Sequence, residues 1–249
     1  MKQYRYKKCY ELKNAAKDML NGKYASAILI CFFSFQIQYL LTGYTDAFLP
    51  SPELSTGVSI PIFVISVIIS LVLDCVLGVM NLGIDLFFLN IACGRSYRLW
   101  DLFYGFVNDT SKALTVSGAY TLLSAVCQLP FQYLLIAYWY TGSREFAIAA
   151  LISAVIGICI YLPVSAGLFL SFYLMLDFPE KSAKEILTLS FRLMSGNKKR
   201  WVYMVFSFVP MMLLCVCSFC IGFLWLVPYM KMTYACLFLD IMNPKEETV

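Results

Sequence analysis

The amino-acid sequence predicts an all-α, polytopic membrane bundle of six transmembrane helices with three amphipathic helices along one side. Three observations carry that prediction. The 249 residues are 61% hydrophobic and only 14% charged, against about 45–50% and about 25% in soluble domains. The apolar residues fall in runs long enough to cross a bilayer. The basic residues gather on one side of those runs.

A spanning helix needs about 20 predominantly apolar residues. The first such run is 24–41, interrupted by Gln36 and Gln38. The second starts at Pro61, is most securely a span over 61–84, and stays apolar to about Cys93. The third covers 113–140 and the fourth 146–176. The last block, 201–241, would measure about 60 Å as one helix, twice the hydrocarbon thickness. Cys220-Ile221-Gly222-Phe223 and Pro228 offer a break, giving spans 201–221 and 223–241, with five spans as the alternative count. The chain is read as one integral-membrane domain. The charged stretch before the first run is too long for a secretory signal, so span one is expected to stay uncleaved.

Lys and Arg in short loops mark the cytoplasmic side. Seven precede span one, three lie between spans two and three, six between spans four and five, and one in the tail. That places seventeen of nineteen on one side; Arg144 is opposite and Lys231 lies within the last block. Both termini are therefore expected in the cytoplasm. The basic segments abut the spans, so they read as topology signals and not as a nucleic-acid surface.

Three segments before odd-numbered spans look alike: ELKNAAKDMLNGKYASAILI, RLWDLFYGFVNDTSKALTVS and EILTLSFRLMSGNKKRWVYMV. Each has an apolar stripe at helical spacing: Leu12, Ala16, Met19; Leu99, Phe103, Phe106; and Leu187, Phe191, Met194. Gly22, Asn108 and Gly196 recur 86 and 88 residues apart. The pattern suggests a threefold repeat of amphipathic helix plus hairpin. The even spans end in LFFLNI, FYLMLD and LFLDIM, placing Asn90, Asp177 and Asp240 near their inner ends. Gly22 and Gly196 are expected to end their helices in the left-handed conformation. Lys198, Lys199 and Arg200 are expected to meet anionic lipid headgroups of the bilayer.

FRLMSGNKKRW, IGFLWLVPYM and YACLFLDI, with ELKNAAKDMLNGKYASAILI and LWDLFYGF, resemble the bacterial integral-membrane family called domain of unknown function 975. The resemblance covers nearly the whole chain and is weakest over 42–60. It implies a bacterial cytoplasmic membrane, of a Gram-positive organism, and resembles other multi-span proteins, including the membrane domain attached to some glycerophosphodiester phosphodiesterases. It implies no activity and no site residues.

Ionisable groups at membrane depth are functional candidates. In span two, Asp74, Asn81 and Asp85 share one helical stripe with Gly78. They suggest a polar path for an ion, proton or polar solute; the alternative is a stripe satisfied by neighbouring helices, or an inner end that is simply wet. Lys231 in the last span is expected to snorkel or to pair, with Asp74 as the named partner. Gln36, Gln38, Gln128 and Gln132 are suited to interhelical hydrogen bonds. Cys215, Cys217 and Cys220 are spaced poorly for convergent metal ligation, and cysteines pack well between helices, so neither metal nor disulfide is expected. Pro130, Pro163, Pro210 and Pro228 are expected to kink spans.

The sequence has no His, which removes the commonest general base and metal ligand. Phosphate-loop, zinc-protease and Gly-x-Ser-x-Gly motifs are missing. No cofactor and no enzymatic activity are expected. The leading functional expectation is a transporter or exporter component for a small or amphiphilic solute. The alternative is a non-enzymatic factor that organises lipids or stabilises a protein partner, with a homo-oligomer also open.

Overall fold

The computed structural model describes residues 4–48, 60–243 and 245–246. Most of the expected outer loop, 42–60, lies outside them. Amphipathic α1 (Cys9–Leu20) opens the chain; Glu11 accepts the Lys8 N–H at 2.8 Å, satisfying one of the donors a helix start leaves open. Gly22 follows at φ +76°, a conformation that costs only glycine nothing, and the chain turns into α2 (Tyr24–Phe48). Helix α3 (Ile60–Ala92) returns. A 3-10 helix, Leu99–Phe103, runs into one turn of α4 (Tyr104–Val107). Helix α5 (Thr110–Thr141) and α6 (Arg144–Leu168) form the next hairpin. After a break at Phe169 and Leu170, α7 (Ser171–Asp177) completes that crossing. Then come α8 (Ala183–Met194), α9 (Lys198–Phe206), α10 (Val209–Cys217) and α11 (Phe223–Met242). Strand β1 (Tyr4–Arg5) pairs antiparallel with β2 (Lys245–Glu246), tying both ends of the chain together.

Among the described residues, six segments are long and apolar enough to cross a membrane: Tyr24–Gly43, Val67–Ala92, Thr110–Thr141, Arg144–Asp177, Lys198–Cys217 and Phe223–Met242. The last two are separated by residues 218–222, where Phe219 and Cys220 take positive φ. Prolines do not set all the breaks. Helices α5, α6 and α11 run through Pro130, Pro163 and Pro228. Of the four expected kink sites, only Pro210 sits at a break, in the first turn of α10, where its missing N–H costs no helical bond.

The core lies toward the end that carries both termini. Leu82, Phe87, Phe88, Leu174, Tyr173 and Phe238 are almost fully buried there. The far halves of α5 and α6 expose Leu122, Val126, Leu151 and Val155. Such a broad apolar exposure needs lipid around it. Helices α5 and α6 approach closely at Gly157, where a Cβ would stand 2.7 Å from the Cys127 carbonyl.

The interfacial segments differ from expectation in which side chains they bury. Helix α1 buries Leu12, Ala16 and Leu20, with Met19 partly covered. In 99–107 the buried positions are Leu102 and Gly105, while Leu99, Phe103 and Phe106 are exposed. The cause is a close backbone approach to α3: a Cβ on Gly83 would lie 2.3 Å from the Leu102 carbonyl oxygen. Helix α8 buries Ile186, Ser190 and Met194; Leu187 and Phe191 lie at the edge. Ser190 Oγ donates to the Gly167 carbonyl at 2.7 Å. Beside lipid, large apolar side chains gain little by facing protein, and small residues let backbones meet. Gly196 does not take the left-handed conformation. Asn197 closes that junction instead, its backbone N–H bonding Met194 O at 3.0 Å and its side chain bonding Leu193 O at 3.2 Å.

Candidate functional site: a polar chamber between five spans

Helix α3 carries Asp74, Gly78, Asn81 and Asp85 along one face, and α5 packs beside it. Their contact is tight at Gly78, where a Cβ would fall 1.9 Å from Ser117 Oγ. That hydroxyl donates to the Cys75 carbonyl at 2.6 Å. Above and below this contact the helices leave a cavity of about 440 Å³. Its lining includes all four residues singled out from the sequence, Asp74, Asn81, Asp85 and Lys231. Helix α2 adds Gln38 and Thr42, α5 adds Ser117, Thr121 and Ser124, and the fourth and sixth spans add a set of aromatic rings.

At the deep end, Lys231 Nζ lies 3.0 Å from Asp85 Oδ1. Tyr173 Oη donates to the same oxygen at 3.5 Å. The expected Asp74–Lys231 pair is therefore corrected: Lys231 takes Asp85. Asp74 stands eleven residues away along α3, about 16 Å, beyond the reach of one lysine side chain. A buried charge pair holds only when both charges are matched and hydrogen-bonded, and Tyr173 supplies the additional bond. Tyr173 stacks on Phe238 with centroids 4.9 Å apart. With Phe87 and Phe88 these rings fill the bundle between the pair and the end bearing the termini.

Asp74 is exposed and lines a second cavity as well, of about 370 Å³. This one lies between the far halves of α3 and α5, with Ser70, Ser124, Gln128 and Gln132 among its polar lining. Asp74 and Ser124 belong to both cavities. A polar route thus leads from Gln132 past Asp74 to the Asp85–Lys231 pair.

Along α5, sequence reasoning singled out Gln128 and Gln132, as interhelical hydrogen-bonding groups, but not the stripe they belong to. Ser117, Thr121, Ser124, Gln128 and Gln132 recur at spacings of four and three along α5, a polar stripe as regular as that of α3. The ring lining had no such signal, because Tyr120, Tyr161, Phe172, Tyr173 and Tyr234 fit equally well in lipid.

The basic cluster divides. Arg200 is engaged inside the molecule. Its guanidinium reaches Asp240 Oδ2 at 2.6 Å, the Lys7 carbonyl at 2.9 Å and Asn197 Oδ1 at 3.0 Å, and lies 4.6 Å from the Tyr6 ring centre. Lys198 lies over Phe191 at 5.5 Å, and Lys199 is exposed. Nearby, Lys13 Nζ donates to Ser207 O at 3.0 Å and sits 3.9 Å over Phe208; burial pushes its ammonium below the usual lysine range. Among the described residues no three His, Cys, Asp or Glu side chains converge as a metal site. Cys215 is buried while Cys217 and Cys220 are exposed.

No curated protein and no solved structure matches the chain. A family model described as a protein of unknown function, DUF975, matches residues 1–245. From its N-terminal amphipathic helix to the end of its sixth span, the chain belongs to that membrane-protein family.

Proposed function

We propose that the protein is a transporter, or the membrane component of an exporter, for a small or amphiphilic solute, and that the chamber is its solute site. The observation that carries this reading is the convergence of ionisable and hydrogen-bonding groups from five spans on one cavity at membrane depth. A bundle held together by packing alone gains nothing from a carboxylate with no partner in hydrocarbon, which costs several kcal/mol unless water or a solute meets it. The volume lies within the usual range for small-molecule sites, about 300–1,000 Å³. The protein acts without covalent chemistry of its own.

The basic end faces the cytoplasm of a bacterial cell in this reading, by the bias of Lys and Arg. The chamber is then closed on the cytoplasmic side by the Phe87, Phe88, Tyr173 and Phe238 layer, and extends outward past Asp74. A threefold repeat underlies the architecture. Its support is that α1 packs on α11, residues 99–107 on α3, and α8 on α6 and α7, so each interfacial segment rests on an even-numbered span. Lys198 and Lys199 meet anionic headgroups, whereas Arg200 serves the fold.

The test is solute flux in proteoliposomes holding the full chain, with radiolabelled phenethylammonium, phenylacetate and 2-phenylethanol as probes. Flux of a charged probe above that of empty vesicles is expected, with Asp74→Asn and Asp85→Asn each abolishing it. Flux unchanged by both substitutions, or no flux beyond empty vesicles, overturns the reading. A lipid-organising factor would ignore both and respond to Lys198→Ala with Lys199→Ala.

A further inference from the structure

Resting on the chamber reading, the geometry points to a solute class: we infer that the site takes a monovalent organic ammonium, its charge held near Asp74 and its apolar part against Tyr120 and Phe172. Three features of the lining carry this.

The first is charge. Asp85 is neutralised by Lys231 at 3.0 Å. Asp74 makes no hydrogen bond or ion pair among the described residues. The chamber therefore carries one uncompensated negative charge.

The second is the direction of the hydroxyls. Each Ser or Thr hydroxyl has one proton to give and two lone pairs to offer. Ser117 gives its proton to Cys75 O at 2.6 Å and Ser124 to Thr121 O at 2.9 Å. The Gln38 amide nitrogen donates to Ser34 Oγ at 3.3 Å. Ser117 and Ser124 are thereby left with lone pairs, while the Gln38 and Asn81 amides keep N–H donors farther in. Lys231 and Tyr173 each donate to Asp85 at the deep end. A solute entering past Asp74 meets that carboxylate and the lone pairs of Ser124 first, and so gains by bringing donors or positive charge.

The third is the wall. Tyr120 and Phe172 stack with centroids 5.5 Å apart and planes 6° from parallel. Phe169 meets Tyr234 edge-on at 5.5 Å. Ring faces attract cations and cover apolar groups. A metal ion of the alkali series would leave a cavity of about 440 Å³ almost empty, whereas an arylalkyl ammonium fills much of it.

The experiment measures binding of radiolabelled phenethylammonium to the full chain in nanodiscs. Phenylacetate and 2-phenylethanol, of the same shape with negative and zero charge, compete against it. The cation is expected to bind about tenfold or more tighter than either. Asp74→Asn is expected to lose about tenfold, Asp74→Glu to stay within about threefold, and Tyr120→Leu to lose about threefold to tenfold. Thermal unfolding of each variant separates lost binding from lost folding, and Asp74→Glu keeps the test decisive if Asp74→Asn misfolds. Equal or tighter binding of phenylacetate, unchanged binding in Asp74→Asn, or displacement of the probe by millimolar sodium overturns the proposal. So does absence of any binding. Reaction of Ser124→Cys with a charged thiosulfonate reagent, located by peptide mass spectrometry, then decides what has failed. A reactive Cys at that position leaves the chamber standing and removes only the solute class; an unreactive one removes both.

Discussion

Two acid–base pairs anchor α11, and they are built for different tasks. At the end bearing the termini, Asp240 is held by Arg200 at 2.6 Å and by the Lys7 backbone N–H at 3.3 Å to each oxygen. Arg200 also donates to Lys7 O at 2.9 Å and to Asn197 Oδ1 at 3.0 Å. These three bonds join the N-terminal segment, α9 and α11. Higher in the bundle, Asp85 and Lys231 also pair, but on the wall of a cavity whose far part is lined by Asp74, a carboxylate without a partner among the described residues. The first pair completes a structure. The second is matched within itself but borders open space lined by Asp74 and polar side chains, which is what a solute site requires and a packed core avoids.

Substitutions should separate the two. The largest effect is expected at Arg200→Ala, which strands Asp240 and should cost about 3–5 kcal/mol, read as thermal unfolding in detergent. Arg200→Lys should recover little, because one ammonium does not reproduce the guanidinium fork. Next comes Gly78→Val, which drives a side chain into Ser117 and pushes α3 from α5, at about 1–3 kcal/mol. Lys231→Met removes a charged hydrogen bond and should cost about 2 kcal/mol, less than Arg200→Ala because the cavity admits water to Asp85. The swap Asp85→Lys with Lys231→Asp should regain part of that stability. The swap Asp74→Lys with Lys231→Asp should not, and regain there would refute the pairing described. Asp74→Asn should change stability by under about 0.5 kcal/mol while abolishing solute flux.

The smallest effect concerns pH. Glu185 accepts the Ser182 N–H at 3.0 Å at the start of α8, and that backbone bond holds its carboxyl below the ordinary range. A lowered folded value means stability that is present above the unfolded value, about 4.3, and lost as pH falls through the folded one. Amide exchange at the first turn of α8 should quicken with acid in that window, and Glu185→Gln should flatten the response.

Much of the bundle can be read from the chain. Run length and the Lys/Arg bias locate the spans because lipid demands internally bonded helices, and the stripe Asp74, Asn81, Asp85 marks one wall of the chamber. The limits have physical causes. Leu99, Phe103 and Phe106 look like a buried face only if water is the alternative; beside lipid they are content outside, and Gly83 draws Leu102 inward. Lys231 has two acids within its stripe's range, and the choice of Asp85 depends on the relative height of α3 and α11, a tertiary fact. Arg200 and Lys199 are neighbours of identical charge, yet only Arg200 finds Asp240. The five polar positions of α5, by contrast, were open to the same periodicity argument as those of α3.

The measurement that bears most directly on the chamber is the sidedness of Ser124→Cys labelling in oriented vesicles. A charged, membrane-impermeant thiosulfonate reagent should modify that position from the face opposite the termini and not from the terminal face. Labelling from the terminal face alone, or from neither, would contradict a chamber closed by Phe87, Phe88, Tyr173 and Phe238 and reached past Asp74.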